Sequence, residues 1–220
     1  VVEGAKILLS YATAVTGLGL TAKLARDAIR DNGGVVALAL RSLLTTALVF
    51  CFFEVLPRHP VGVSEVHLIL GSTLLLLFGA GAAAIGLAVG LLLQGLLFAQ
   101  FDLPQYGMNV TTLLLPLWGI QLLAKRIVAP GTAYVDLSYK QALALSTAYQ
   151  GGIVAWVAFW AFYGQGFAGD NLAAVGSFGL AYMSVILIEP LIDLGVLAAA
   201  KALARFSQGP LFNVRLHQAA

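Results

Sequence analysis

From His67 to Phe101 the chain carries no Asp, Glu, Lys or Arg, and this run of 35 residues is broken only at Gly79-Ala80-Gly81. So long an apolar run belongs in hydrocarbon, which takes about 20 such residues per helical span. The rest of the chain agrees. Only 22 of 220 residues are charged, where a soluble domain has about a quarter. Hydrophobic residues make up 60%, and the mean hydropathy is +0.93. Such a chain has too little polar surface to coat itself in water. An ordinary soluble enzyme, a disordered protein and a nucleic-acid binder are excluded. The net charge of +2 offers no basic face to a polyanion. The expectation is one integral all-α membrane domain over residues 1–220, a multi-pass bundle in a lipid bilayer.

Polar and Pro/Gly breaks divide the chain into seven expected spans. They run from about Lys6 to Leu24, Val35 to Val55, His67 to Phe78, Ala80 to Phe101, Tyr106 to Ala124, Leu137 to Tyr163 and Val175 to Arg205. The third is too short to cross a bilayer as a helix and predicts a tilted or partly broken element. Orientation follows from Lys and Arg near the span ends. One side collects Lys23, Arg26, Arg30, Lys125, Arg126, Lys140, Lys201, Arg205 and Arg215, and the other only Lys6 and Arg58. The N-terminus is therefore expected outside and the C-terminus in the cytoplasm. Four segments then share the outer side: the N-terminus to Lys6, Pro57 to Val66, Asp102 to Gly107 and Gly164 to Ala174.

His67 is the most informative residue. It stands at the outer mouth of the third span, in Gly62-Val-Ser-Glu-Val-His67. A neutral imidazole there suits a transition metal, or equally a hydrogen bond to a neighbouring carbonyl, since one His makes no metal site alone. His59 and His217 have no assigned role. Glu54 and Glu65, flanking the outer loop, are read as solvated. Asn109, in Tyr106-Gly-Met-Asn109-Val-Thr-Thr112, must find partners in a membrane. It either shapes a pocket or bonds a neighbouring helix. Gln94 is read as an interhelical bond. Glu3 either complements its helix dipole or belongs to a segment folding back into the outer pocket.

Glu189 and Asp193 lie one helical turn apart in the last span, beside Pro190. Intramembrane carboxylates suggest function by default; Glu189 either pairs with Arg41, inside the second span, or is protonated. No nucleophile accompanies the pair, and the chain has no phosphate-binding loop and no hydrolase or kinase motif. An enzyme is not expected, and energy for any active transport must come from elsewhere. Cys51 is the sole cysteine, so no intramolecular disulfide forms.

Several segments together carry a family resemblance: Val1-Val-Glu3-Gly4, Pro60-Val-Gly62-Val-Ser64-Glu-Val-His67-Leu-Ile-Leu-Gly71, Leu91-Leu-Leu-Gln94-Gly-Leu-Leu-Phe98, Gly107-Met-Asn109-Val and Ile188-Glu189. Over most of its length the chain resembles the substrate-binding (S) component of energy-coupling-factor transporters for cobalt and nickel, the CbiM/NikM family. The resemblance implies seven helices with the N-terminus outside, in a bacterial cytoplasmic (inner) membrane. In that family the chain begins Met-His before an aliphatic pair and Glu-Gly, so Val1 matches the third residue. The terminal amine, that His with its amide nitrogen, and the loop histidine hold Ni²⁺ or Co²⁺ as transported substrate. The ligand set is square-planar, which suits Ni(II).

By this resemblance His67 is a ligand, and Asn109, Ser64, Glu3 and Thr112 belong to the pocket. The implied partners are a transmembrane coupling subunit, cytoplasmic ATPases and a small auxiliary membrane subunit. Ala12, Thr16 and Gly17 of the first span are expected to meet the coupling subunit. Three positions depart from the family pattern: Thr112 replaces a second Asn, Tyr182 a His, and Pro190 a Gly. Thr112 and Tyr182, with the Met-His that does not appear ahead of Val1 in this numbering, favour the alternative of a structural or accessory subunit that keeps the fold without the metal.

Overall fold

The computed structural model describes residues 4–56 and 58–203. Glu3, Arg205, Arg215 and His217 lie outside the described residues, as does the side chain of Asp193. The chain runs α1 (Gly4–Asp31), α2 (Gly34–Glu54), a hairpin of β1 (His59–Val61) and β2 (Ser64–Val66), α3 (Gly71–Phe78) and α4 (Ala80–Leu97). A 3-10 helix, Gln100–Gln105, leads into α5 (Tyr106–Ile127), followed by α6 (Tyr139–Gln165), α7 (Gly169–Val185) and α8 (Glu189–Leu203).

Five described segments are long and apolar enough to cross a membrane: α1, α2, α4, α5 with its 3-10 lead-in, and α6. Their outward faces expose Leu8, Val15, Val36, Leu43 and Leu96, the surface that lipid tails accept. Trp156, Phe159, Trp160 and Tyr163 pack ring against ring at one end of α6, some stacked and some edge to face. The chain is an all-α, multi-pass membrane protein carrying one small hairpin.

α4 is central, packing on α1, α2, α3 and α5. Small residues allow this. A methyl group added at Gly86 would lie 2.3 Å from the Thr45 hydroxyl, and one at Gly90 2.7 Å from Val49. In lipid, close backbone approach supplies the van der Waals contact that holds helices together. Thr45 Oγ1 also donates to the Ala82 carbonyl at 2.7 Å.

Three boundaries differ from the expected ones. α1 continues to Asp31 instead of stopping near Leu24, because Lys23 to Asp31 are compatible with helix and project beyond the apolar part. Gly33 and Gly34, both at positive φ, end it. The third element begins later: His67 to Leu70 have no regular structure, Leu70 turns through a left-handed φ of 53°, and only Gly71–Phe78 is helical. Eight helical residues rise about 12 Å, too little to cross a bilayer. Non-helical backbone survives at that depth because protein surrounds it; Ile69 and Leu70 are buried. The last element is broken at Ile186–Ile188 into α7 and α8. Pro190 has no N–H to continue a helix and is tolerated only in a first turn, where it sits.

Arg41 corrects another expectation. It is 1% exposed, yet its guanidinium faces carbonyls, not Glu189. It donates to Ala37 (3.1 Å), Phe78 (3.4 Å) and Asn32. Phe78 ends α3 and Asn32 follows α1, so the cation takes acceptors that helix ends leave free. Gly17 is also turned inward, against Thr111 and Leu114 of α5. Of the three small α1 residues, only Ala12 and Thr16 are on the outer face.

Candidate functional site

The hairpin, the 3-10 helix, the start of α5 and the α6–α7 connection gather at one end of the bundle. Gly62, at φ +61, makes the hairpin turn, and its Cα is close enough to α7 that an added methyl would lie 2.1 Å from the Ala174 carbonyl. The hairpin is thus clamped on α7. Its register pairs His59 with Val66 and Pro60 with Glu65. At the same end, a methyl added at Gly164 would lie 2.6 Å from the Lys6 ammonium, which brings the start of α1 to this side.

Beneath the hairpin lies a cavity of about 410 Å³. Ser64, Glu65 and His67 line it from the hairpin side, Gln94 from α4, Asp102 from the 3-10 helix, Asn109 and Thr112 from α5, and Tyr182 from α7. Five residues singled out from the sequence therefore meet in one space: His67, Asn109, Ser64, Thr112 and Gln94. Thr112 donates its hydroxyl to the Met108 carbonyl. Gln94 is buried against the cavity wall.

His67 is held from three directions. Its backbone N–H donates to the Tyr182 hydroxyl at 3.2 Å. The Phe53 ring lies 4.7 Å from the imidazole. Its Nε2 is 3.3 Å from Glu65 Oε2. Burial pushes the imidazole below its ordinary pKa; the Glu65 carboxylate pulls the other way, and Arg58 adds to the lowering. The net direction is downward, so the ring is neutral at pH 7, the form that ligates a transition metal.

Glu65, read from the sequence as solvated, is exposed and also faces the imidazole. Phe53 and Tyr182 were not assigned to the site either. Alternation in an extended segment was the available signal for Glu65, since residues two apart share a face. Tyr182 comes from 115 positions away; the sequence marked it only as the position where the family pattern has a His.

Glu189 lies elsewhere, fully buried against α6. Its Oε2 accepts from the Gln150 amide at 2.7 Å and the Ser146 hydroxyl at 2.9 Å. Among the described residues, no group of three or more His, Cys, Asp or Glu side chains could hold a metal. His67 is the imidazole available to a cation in the cavity, beside the oxygens of Glu65, Asp102 and Asn109.

No curated protein and no solved structure matches the chain. A family model does, over residues 1–206. With that match spanning the helices and the cavity alike, the chain belongs to the family described as the cobalt uptake substrate-specific transmembrane region.

Proposed function

We propose that this membrane component of cobalt uptake captures a divalent transition metal, Co²⁺ or Ni²⁺, in the hairpin-end cavity. The cavity faces the exterior, as the excess of Lys and Arg near the opposite span ends supports. His67 supplies an imidazole nitrogen, and a segment preceding Glu3 supplies the remaining nitrogens. Asn109, Ser64, Glu3 and Thr112 hold that segment in the pocket. A transmembrane coupling subunit and cytoplasmic ATPases then drive release into the cell, with a small auxiliary membrane subunit alongside, in a bacterial cytoplasmic membrane. The observation that carries this reading is the neutral, desolvated imidazole of His67 at the wall of a cavity otherwise rich in oxygen donors.

The test is metal content of the purified full-length protein by elemental mass spectrometry, with His67→Ala alongside. About one Ni or Co per chain, lost in the variant, is expected. No metal after loading with either ion would sink the proposal. The competing reading, a structural or accessory subunit that has given up the cargo, draws on the lack of a three-residue ligand cluster among the described residues. Intact mass separates the two early. Two residues, Met-His, ahead of Val1 favour capture.

A further inference from the structure

The cavity carries a charge opposite to that of the chain. The chain as a whole has a net charge of +2. The lining holds two carboxylates, Glu65 and Asp102, and no Lys or Arg among the described residues. The two acids stand on different elements, the hairpin and the 3-10 helix, and Asp102 feels the Glu65 charge. Arg58 also acts on Asp102, but its guanidinium pairs with Glu54 at 3.5 Å and stays outside the lining.

Two amides face the same space without a partner. Gln94 is 6% exposed, and its side chain makes no hydrogen bond among the described residues. It is unlike Gln150 and Asn171, whose orphaned oxygens are sealed inside protein. The Gln94 amide opens onto the cavity that it lines. Asn109, on α5, lines the cavity as well and likewise bonds no described residue. Leaving a buried amide unpaired is costly, so both amides suit something that occupies the cavity.

Size and charge set what fits. Two carboxylates call for a divalent cation. Among the described residues no three His, Cys, Asp or Glu side chains converge closely enough to take a bare ion, so the occupant keeps its water. At about 30 Å³ per water, six waters around an ion fill roughly 180 Å³. The cavity offers about 410 Å³. Waters on a cation donate hydrogen bonds, and carboxylate and amide oxygens accept them.

We propose that Glu65, Asp102, Gln94 and Asn109 form a receiving subsite for a hydrated divalent cation, which holds the ion through its water shell before any nitrogen ligand replaces that shell. The inference deepens the capture reading and rests on it, by giving the ion a place to wait while it dehydrates. A grip through water reads charge and size. The subsite therefore takes Mg²⁺, Co²⁺ and Ni²⁺ alike, and discrimination is left to the nitrogens.

Hexaamminecobalt(III) chloride is the probe, because its ammines do not exchange and it binds only through its outer shell. Binding to the full chain in phosphatidylcholine nanodiscs is measured by calorimetry at low salt. About one probe ion per chain is expected, displaced by Mg²⁺. Asp102→Asn and Glu65→Gln should each weaken it about tenfold, and Gln94→Leu about threefold. Asp170→Asn removes an exposed carboxylate at the same end but outside the lining, and should change nothing. His67→Ala should keep the probe while losing Co²⁺ and Ni²⁺. Unfolding midpoints check each variant, and Glu65→Gln, on the exposed hairpin, carries the test if Asp102→Asn fails to fold. No probe binding overturns the subsite, as does binding unmoved by the carboxylate variants or lost in His67→Ala, even where the chain takes up Ni²⁺. The expected probe results with no uptake of Ni²⁺ or Co²⁺ leave the subsite standing and bring down the capture reading instead.

Discussion

Two polar sites in this bundle handle the same difficulty in opposite ways. Glu189 is a carboxylate with no exposure, and α6 meets it with two donors, Ser146 and Gln150. His67 sits at a cavity wall beside a half-exposed carboxylate. Intramembrane polar groups are costly, so a group packed between two helices and a group lining a cavity do different work. The first fastens α8 to α6. The second borders space that a ligand can enter. It is the cavity that separates the two.

The largest expected effect is on the open site. His67→Ala should reduce Co²⁺ or Ni²⁺ binding by more than about 100-fold in calorimetry, since one of few nitrogen donors is gone. Thermal unfolding should change less, because the ring borders a cavity on one side and loses only its packing on Phe53. Glu189→Ala should behave inversely. It strands two buried donors and should cost about 3 kcal/mol, read as a fall in unfolding midpoint in detergent, with metal affinity of the folded fraction unchanged. If Glu189→Ala abolishes binding at unchanged stability, the contrast between the two sites collapses and Glu189 joins the metal pathway.

How much of this was readable in the sequence varies with the range of the interaction. The apolar helices were legible because charge scarcity and Pro/Gly breaks are local signals, and five described segments are long enough to cross a membrane where seven spans were expected. Pro57-Arg58-His59-Pro60 marked the loop, and Gly79 the turn into α4. The charged end of α1 was misjudged as a loop because Lys23 to Asp31 are polar, although polarity outside the apolar zone does not stop a helix. The hairpin was missed because its three-residue strands carry too few residues to show alternation. The cavity's polar residues were found singly, each from its own motif. Their convergence was not, since Asn109 and His67 meet through tertiary packing. The partners of Glu189 lie 43 and 39 positions away, so Arg41 seemed as good a choice until the carbonyls around it were seen.

A smaller effect tests whether the hairpin merely covers the cavity or aims His67 into it. Gly62→Ala places a side chain at φ +61 and forces a methyl toward the Ala174 carbonyl. The left-handed backbone alone costs about 1–2 kcal/mol, and relief requires the hairpin to lift from α7. Metal affinity should fall about tenfold while the bundle's helicity is retained, measured by calorimetry beside circular dichroism. Unchanged affinity would mean that β1 and β2 are only a lid over a site that α5 and α7 already define.

The mildest perturbation is pH, and it isolates the balance of forces on His67. Burial lowers its pKa from 6.5 while Glu65 raises it, and burial is the larger. The imidazole therefore stays neutral to a lower pH in the folded chain than in the unfolded one. Between those two values the unfolded state binds more protons, so stability is full above about 6.5 and declines as pH falls through the folded-state value. Protonation of the ring in the folded chain, read from its ¹⁵N shifts without metal, should therefore set in only below about pH 6.5. Glu65→Ala removes the raising influence and should push that onset lower still. An onset above pH 7 would mean that the carboxylate, not burial, governs the ring. The distinction between an open site at the cavity and a closed one between α6 and α8 would then have to be redrawn around Glu65.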